Sequence, residues 1–501
     1  MNTVSTKLGK IDGLYEEPGV YVWKGVRYAK PPVGELRFKA PSPIDAWEGV
    51  VNAHEFGHEC PQINLFADTN AKAEKGTDED CLFLNIWSRT LEEKNPVMVY
   101  IHGGAYKSGS GSQNIYHGHN ISYNHNVVVV TINYRLGAFG YIHFNHIQGS
   151  ENRFDSNCGL RDQVAALEWV RDNISAFGGD PNNVTIFGES AGGNAVITLM
   201  AVPSAKGLFH KVIAQSPAAS SLATKWSTFA STEFLKSEGI KDLSDVLTID
   251  AEKLVDVTQS YFYDMSDKMP GCLGLCPFVD GDFLPLHPLD AIRNGSSEGI
   301  PLLIGFNKDE SNLFTKLAAR TGKNLLISTP SQVDAYFSNN THLDKSKILS
   351  SYQSQYPQNG YINRLGADIA FNIFAIQVAE AQSAHAPTFM YRYDFVSIVQ
   401  RVMGLGATHA MEIPFVFGDI HAGPMKMLYY FSNTKNIKGI SNRMQSAWTS
   451  FAKTGNPGMN DWTQYGISNR STKVFDNQDH IVHDLQSEHR ILWEGLSCYL
   501  D

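Results

Sequence analysis

The stretch Val184-Thr-Ile-Phe-Gly-Glu-Ser-Ala-Gly-Gly193 leaves a chain few ways to fold. Its apolar, β-branched opening reads as a buried strand, and Asn194-Ala-Val-Ile-Thr-Leu-Met200 reads as a helix, so the chain must pass from strand to helix through Gly188, Ser190 and Gly192. A serine at so sharp a turn has its hydroxyl held clear of the sheet. The glycines two before and two after it let strand and helix cross without a clash. Ser190 is therefore the candidate nucleophile. The pattern Gly-x-Ser-x-Gly alone is weak, and its placement between strand and helix is what gives it weight.

A strand of this kind needs neighbours, and the sequence offers them. Residues 11–28 alternate apolar and polar side chains around Pro18-Gly19, as a small antiparallel edge does. Cys81–Trp87, Val97–Ile101, Lys211–Gln215, Pro301–Phe306, Thr388–Phe395 and Lys473–Phe475 read as strands. Val127–Tyr134 is apolar on both faces, which predicts an interior strand. Leu160, Val164, Leu167, Val170 and Ile174 recur at helical spacing over 159–174, and a further helix is expected over 441–453. Strand followed by helix, repeated, implies an α/β fold: a central, mostly parallel sheet with helices on both faces. Two polar and helical stretches, approximately 225–270 and 315–387, are expected as insertions forming a helical cap over the edge where such sheets bind ligands. No linker divides the 501 residues, so 1–501 is read as one domain.

Composition enters by exclusion. A net charge of −10 without a Lys/Arg cluster argues against a nucleic-acid partner. Nothing approaches the roughly 18 apolar residues of a membrane span, and the N-terminus has no apolar leader, so a cytoplasmic protein with no membrane partner is expected. Six cysteines do not make a disulfide framework, and Cys272 with Cys276 lacks the second pair a zinc site requires. No metal and no cofactor are expected.

A serine hydroxyl needs a base to take its proton and a carboxylate to orient that base, and on such a sheet they follow it in the order acid, then histidine. Asp309 and Glu310 both follow the Pro301 strand; adjacent residues there tend to point opposite ways, so one of them is expected to face the site. Among His342, His385, His409, His421, His480, His483 and His489, only His409 lies in a glycine-rich loop just after a strand, which makes it the candidate base. Backbone N–H donors for an oxyanion are expected from the loop His102-Gly-Gly-Ala105 and from Ala191 at the start of the helix.

Together these residues resemble the type-B carboxylesterase family, which includes cholinesterases and bacterial para-nitrobenzyl esterases. The resemblance runs along nearly the whole chain. It rests on Tyr28-Ala-Lys-Pro-Pro-Val-Gly-Glu-Leu-Arg-Phe38, Glu79-Asp-Cys-Leu-Phe-Leu-Asn85, Asn133-Tyr-Arg-Leu-Gly-Ala-Phe-Gly140, Phe177-Gly-Gly-Asp-Pro181, Phe187-Gly-Glu-Ser-Ala-Gly-Gly193 and Phe278-Val-Asp-Gly281. It implies the α/β-hydrolase fold and a triad of Ser190, Glu310 and His409, the family's acid being the glutamate of a Lys-Asp-Glu stretch and its base lying in Gly-x-x-His-x-x-Glu, here Gly406–Glu412. It also implies Gly104, Ala105 and Ala191 as oxyanion donors, structural ion pairs of Arg37 with Glu79 and Arg135 with Asp162, and a cysteine pair at Cys60 and Cys81 that a cytosol would keep as neighbouring thiols. Substrate contacts are expected at Glu189, Leu273, Leu313 and Phe314.

Two departures bear on substrate. Between Cys60 and Cys81 there is no tryptophan, whereas cholinesterases place there the ring that binds choline. Where they narrow the acyl pocket with phenylalanines, this chain has Gly271-Cys-Leu-Gly-Leu275. The expectation is a serine carboxylesterase, monomer or homodimer, that hydrolyses small uncharged esters through an acyl-enzyme. The alternatives are a lipase acting on longer-chain glycerides, which would need a large apolar lid, and a non-catalytic adhesion relative, which the presence of all three triad residues argues against.

Overall fold

The computed structural model describes residues 2–496 apart from 64–74, 148, 151–152, 238, 241, 357–359 and 421–422. Its strands are β1 (Thr3–Ser5), β2 (Lys10–Asp12), β3 (Leu14–Glu16), β4 (Val20–Arg27), β5 (Val50–Asn52), β6 (Phe83–Ser88), β7 (Asn95–Ile101), β8 (Val128–Ile132), β9 (Gly179–Glu189), β10 (Lys211–Gln215), β11 (Leu302–Asn307), β12 (Thr388–Tyr393), β13 (Ser471–Phe475) and β14 (His480–His483). Three of them, β1-β2-β5, form a small separate sheet; the other eleven form one sheet in the order β3-β4-β6-β8-β7-β9-β10-β11-β12-β13-β14. From β8 to β13 every neighbouring pair is parallel, and the antiparallel pairings lie toward the two edges.

Alternation along each strand builds two cores. Val97, Val99 and Ile101 of β7 pack with Leu160, Leu167 and Val170 of the helix Cys158–Asn173 and with Ala195 and Val196 of the helix Ala191–Leu199. Met98 and Tyr100, on the opposite face, pack with Ile440, Met444, Trp448 and Phe451 of the helix Thr434–Thr454. The interior strand expected over 127–134 is β8, buried along its length between β7 and β6.

The register aligns Ile101, Gly188, Ala214, Ile304 and Met390 in one row across β7, β9, β10, β11 and β12. The loops that leave this end of the sheet therefore start side by side. One expected boundary shifts. Of the span 315–387, the helix Pro330–Asn339 packs on Ala251–Lys268 and Lys345–Gln355 packs on Gly360–Ala367, but the helix Ile373–Ser383 lies against β11 and β12 and belongs to the layer flanking the sheet. Its Ile373, Phe374, Ala375, Ile376, Val378 and Ala379 are buried almost all round, which a cap helix with a wet face would not need.

The ion pairs Arg37–Glu79 and Arg135–Asp162 form, the latter fully buried at 2.7 Å. Arg37 also donates to the carbonyl of Ile249 at 2.6 Å and so ties the first insertion to the body of the protein. Cys60 and Cys81 are both buried free thiols, and the neighbouring Cys60 together with burial pushes the Cys81 thiol well up. Among the described residues no helix is long and apolar enough to cross a membrane, and no cluster of three or more His, Cys, Asp or Glu side chains could hold a metal ion.

Candidate active site

β9 ends at Glu189 and the helix begins at Ala191, so one residue makes the whole turn. The helix was expected from Asn194. Ala191-Gly-Gly193 is a poor helix former, and packing overrides that propensity: a Cβ on Gly192 would sit 2.0 Å from the Ile101 carbonyl oxygen, and one on Gly188 would sit 2.5 Å from Gly192. The close crossing holds Ser190 at φ 60°, ψ −121°, a backbone region that non-glycine residues seldom occupy. Its N–H donates to the Gln215 carbonyl at 2.9 Å, and its carbonyl accepts from Ala218 N–H at 3.2 Å, so the main chain is pinned on both sides while the side chain stays partly exposed.

Asp309 and Glu310 do turn opposite ways. The Asp309 carboxylate accepts the Ala407 N–H at 2.9 Å and thereby ties down the loop that carries the histidine. Glu310, fully buried, lies 2.6 Å from His409 Nδ1 through Oε2, while its Oε1 accepts from the Ser216 hydroxyl and from Asn307 N–H, both at 2.6 Å. Three donors fix that carboxylate, and the carboxylate in turn fixes the imidazole. Behind them Glu412 accepts from Asn307 Nδ2 at 2.6 Å and Gln215 Nε2 at 2.9 Å, and Gln215 takes the indole N–H of Trp448 at 3.1 Å. His421 lies outside the described residues; of the other candidates, His489 pairs with Asp368 at 2.7 Å and His385 Nε2 meets the Arg293 carbonyl at 3.1 Å.

Glu189 takes a different position from the one expected. It is buried, with Oε1 3.0 Å from His409 Nε2, so it faces the histidine instead of an open substrate pocket. No hydrogen bond joins Nε2 to the Ser190 hydroxyl. Burial disfavours a charged imidazole, but the carboxylates of Glu189, Glu310 and Glu412 outweigh it and raise His409 to about 9. Burial pushes Glu189 up to about 8, against the pull of His409. This contact joins positions 220 residues apart, and no local motif announces it.

On the other side of Ser190, a Cβ on Gly103 would come within 3.1 Å of the serine Cβ, so the His102–Ala105 loop passes directly over the turn. Gly104 and Ala105 have φ of 112° and 56°. His102 beneath them is stacked on Tyr134, and burial lowers it to about 4, which makes it a neutral support for the loop.

A small apolar cluster of Ala218, Phe314, Leu326, Ala370 and Phe371 stands beside the histidine, with the Phe314 and Phe371 rings 5.1 and 4.5 Å from the His409 ring. Of the expected substrate residues, Phe314 belongs to it. Leu313 serves the histidine loop, its N–H donating to Thr408 Oγ1 at 2.8 Å. Leu273 packs instead with the larger core, in a turn held against Met265 and Tyr336. Phe371 was not legible, because it lies in a π-helical segment, Asp368–Asn372, inside what reads as an ordinary helix.

A parallel sheet whose central strand turns into a helix through a strained serine defines an α/β-hydrolase. The chain matches the carboxylesterase family over residues 1–493 and belongs to that family, so it is a carboxylic-ester hydrolase. It is 38% identical over 494 residues to the para-nitrobenzyl esterase of Bacillus subtilis (strain 168), covering 97% of each chain. It is 34% identical to the fumonisin B1 esterase of Sphingopyxis macrogoltabida over 90% of this chain and 82% of that one. Among solved structures, a thermophilic para-nitrobenzyl esterase superposes with a TM-score of 0.88 at 37% identity, covering 98% and 99% of the two chains.

Proposed function

We propose that Ser190, His409 and Glu310 are the triad of a serine carboxylesterase acting on small uncharged esters, with Gly104, Ala105 and Ala191 N–H groups receiving the oxyanion. The observation that carries this reading is the 2.6 Å contact between Glu310 and His409 Nδ1 beside a serine held in a strained strand-to-helix turn. In acylation His409 Nε2 leaves Glu189 and accepts the Ser190 proton as Oγ attacks the ester carbonyl. The negative charge on the carbonyl oxygen is met by the three backbone donors. Collapse expels the alcohol, which takes the proton from His409, and leaves an acyl group on Ser190. Water, deprotonated by the same nitrogen, then releases the carboxylate product and restores the hydroxyl.

Phe314 and Phe371 supply an apolar wall for the ester, and the absence of tryptophan from residues 61–80 argues against choline esters. Ser190→Ala is expected to lower kcat for 4-nitrophenyl butyrate by about 10⁶-fold with the fold intact by circular dichroism. Near-normal turnover by that variant would overturn the assignment.

A further inference from the structure

The loop over Ser190 carries a second group that the triad does not use. Lys107 N–H and Ser108 N–H both donate to the Gly104 carbonyl, at 3.1 and 3.0 Å, so Lys107 stands one turn of chain beyond the proposed oxyanion donors. Lys107 is 3% exposed, and among the described residues its ammonium has no hydrogen-bond acceptor. An ammonium removed from water without a partner is costly, and folded proteins seldom keep one. What surrounds it is aromatic: the Phe262 and Tyr263 ring centroids lie 4.9 and 4.8 Å from Nζ, and the ammonium of Lys323 lies 4.5 Å from the centroid of the same Tyr263 ring. Two cations thus share one ring.

Lys107 also lines a cleft with Gln62, Gly137, Thr258 and Gln259. The Gln62 amide is spent on the Cys60 and Gly109 backbone, but the side-chain carbonyl of Gln259 is buried without a donor. A cleft that holds a buried ammonium met only by aromatic rings, and an amide oxygen without a donor, has room in its hydrogen bonding for a polar occupant. A carboxylate would accept from Lys107 and, once the amide rotates, from Gln259 Nε2, with the two rings as apolar walls.

We propose that Lys107, backed by Lys323 and Gln259, forms a carboxylate subsite on the loop that carries the proposed oxyanion donors, and that the enzyme, beyond the uncharged esters assigned to it above, turns over esters bearing a carboxylate in preference to their methyl-capped, neutral counterparts. The proposal rests on the serine-esterase reading of Ser190, and neutral esters remain substrates of the same centre. Burial and the Lys323 charge lower Lys107 to about 7. The other groups on the surrounding elements do not compensate: Tyr263 is raised by burial and stays a neutral phenol, Asp256 and Asp264 of the same helix are exposed, and residues 61–63 and 137–139 carry no titratable side chain. The attraction is therefore strongest while Lys107 keeps its proton and fades as pH rises from neutrality toward 9. His409 acts equally on both members of a pair, whereas Glu189, raised to about 8, also repels an anion as it ionises, so the part of the pH dependence of their kcat/KM ratio that Lys107→Met abolishes is what reports Lys107.

Two matched pairs test this and locate the carboxylate: 4-nitrophenyl hydrogen glutarate against 4-nitrophenyl methyl glutarate on the acyl side, and 4-acetoxybenzoate against its methyl ester on the alcohol side. In at least one pair the anionic-to-neutral ratio should be about 10- to 100-fold higher in the wild type than in Lys107→Met, and it should fall between pH 6 and 9. Lys107→Arg should keep the ratio and flatten its pH dependence. Should Lys107→Met fail to fold, Lys107→Gln takes its place in the comparison. Equal ratios in wild type and Lys107→Met, or a wild-type ratio that does not change with pH in both pairs, would overturn the subsite alone. No turnover of any of the four esters would overturn the esterase reading and the subsite with it.

Discussion

Two carboxylates compete for one imidazole. Glu310 hydrogen-bonds to Nδ1 of His409, and the Glu189 carboxylate stands 3.0 Å from Nε2, the nitrogen that must take the serine proton, without a hydrogen bond to it. A base works only when neutral, so a His409 raised to about 9 means that kcat/KM should climb with pH through 7 and 8 before it levels. Glu189→Gln removes the carboxylate that, once ionised, favours a charged imidazole 3.0 Å away, and should move the acid limb to lower pH; an unmoved limb would show that the contact is not made in solution. The neighbouring acids separate by role. Glu310→Gln cannot accept from Nδ1–H as a carboxylate does and should cost about 10³–10⁴-fold in kcat, whereas Asp309→Asn still offers an oxygen to Ala407 N–H and should cost less than about tenfold. The reverse ranking would exchange their roles. Sequence alone left Asp309 and Glu310 open, since both follow the same strand, and only the resemblance to a family chose between them. The role of Glu189 was hidden because its partner is fixed by the meeting of two distant loops.

The expectation that Gly271–Leu275 replaces a phenylalanine wall becomes a question of which element lines the acyl group. Leu273 packs into the larger core, and the rings beside His409 come from the helix Asn312–Thr321 and the π-helical segment Asp368–Asn372. That segment is braced from below, its Asp368 being buried and paired with Arg364, His489 and the Tyr352 hydroxyl. Phe371→Ala should therefore widen the acyl range, each additional buried methylene being worth up to about 0.8 kcal/mol. Leu273→Phe should narrow it less. A panel of 4-nitrophenyl esters from acetyl to octanoyl reads both, and a larger effect from Leu273→Phe would return the acyl wall to the 271–275 turn. Elements were legible where burial is two-sided and continuous, as in β8 and β11, whose apolar runs admit little else. β14 and the strands of the small sheet were not fully read, because three or four half-exposed residues carry too little period to detect. The π-helical turn has no sequence signature, and it is the turn that brings Phe371 to the histidine.

At the scale of the molecule, the alternation of strand and helix was enough to imply the parallel sheet, but the strand order and the register that puts Ile101, Gly188, Ala214 and Ile304 in one row come from packing that no single segment encodes. Every group assigned to bond making leaves the sheet within a few residues of that row or is hydrogen-bonded to one that does. The residues proposed to meet the rest of the ester, Phe314 and Phe371 on the acyl side and Gln259 in the proposed carboxylate subsite, come from segments inserted between strands, 224–268 and 312–372. This gives the enzyme a division of labour that an engineer can use: the reaction and its pH response are anchored in the frame, and taste is carried by exchangeable parts. A chimera that takes residues 224–268 from a 38%-identical esterase should change which esters are preferred while its pH profile stays that of the recipient. If the pH profile travels with the transplanted segment instead, frame and fittings are one mechanism and cannot be evolved apart.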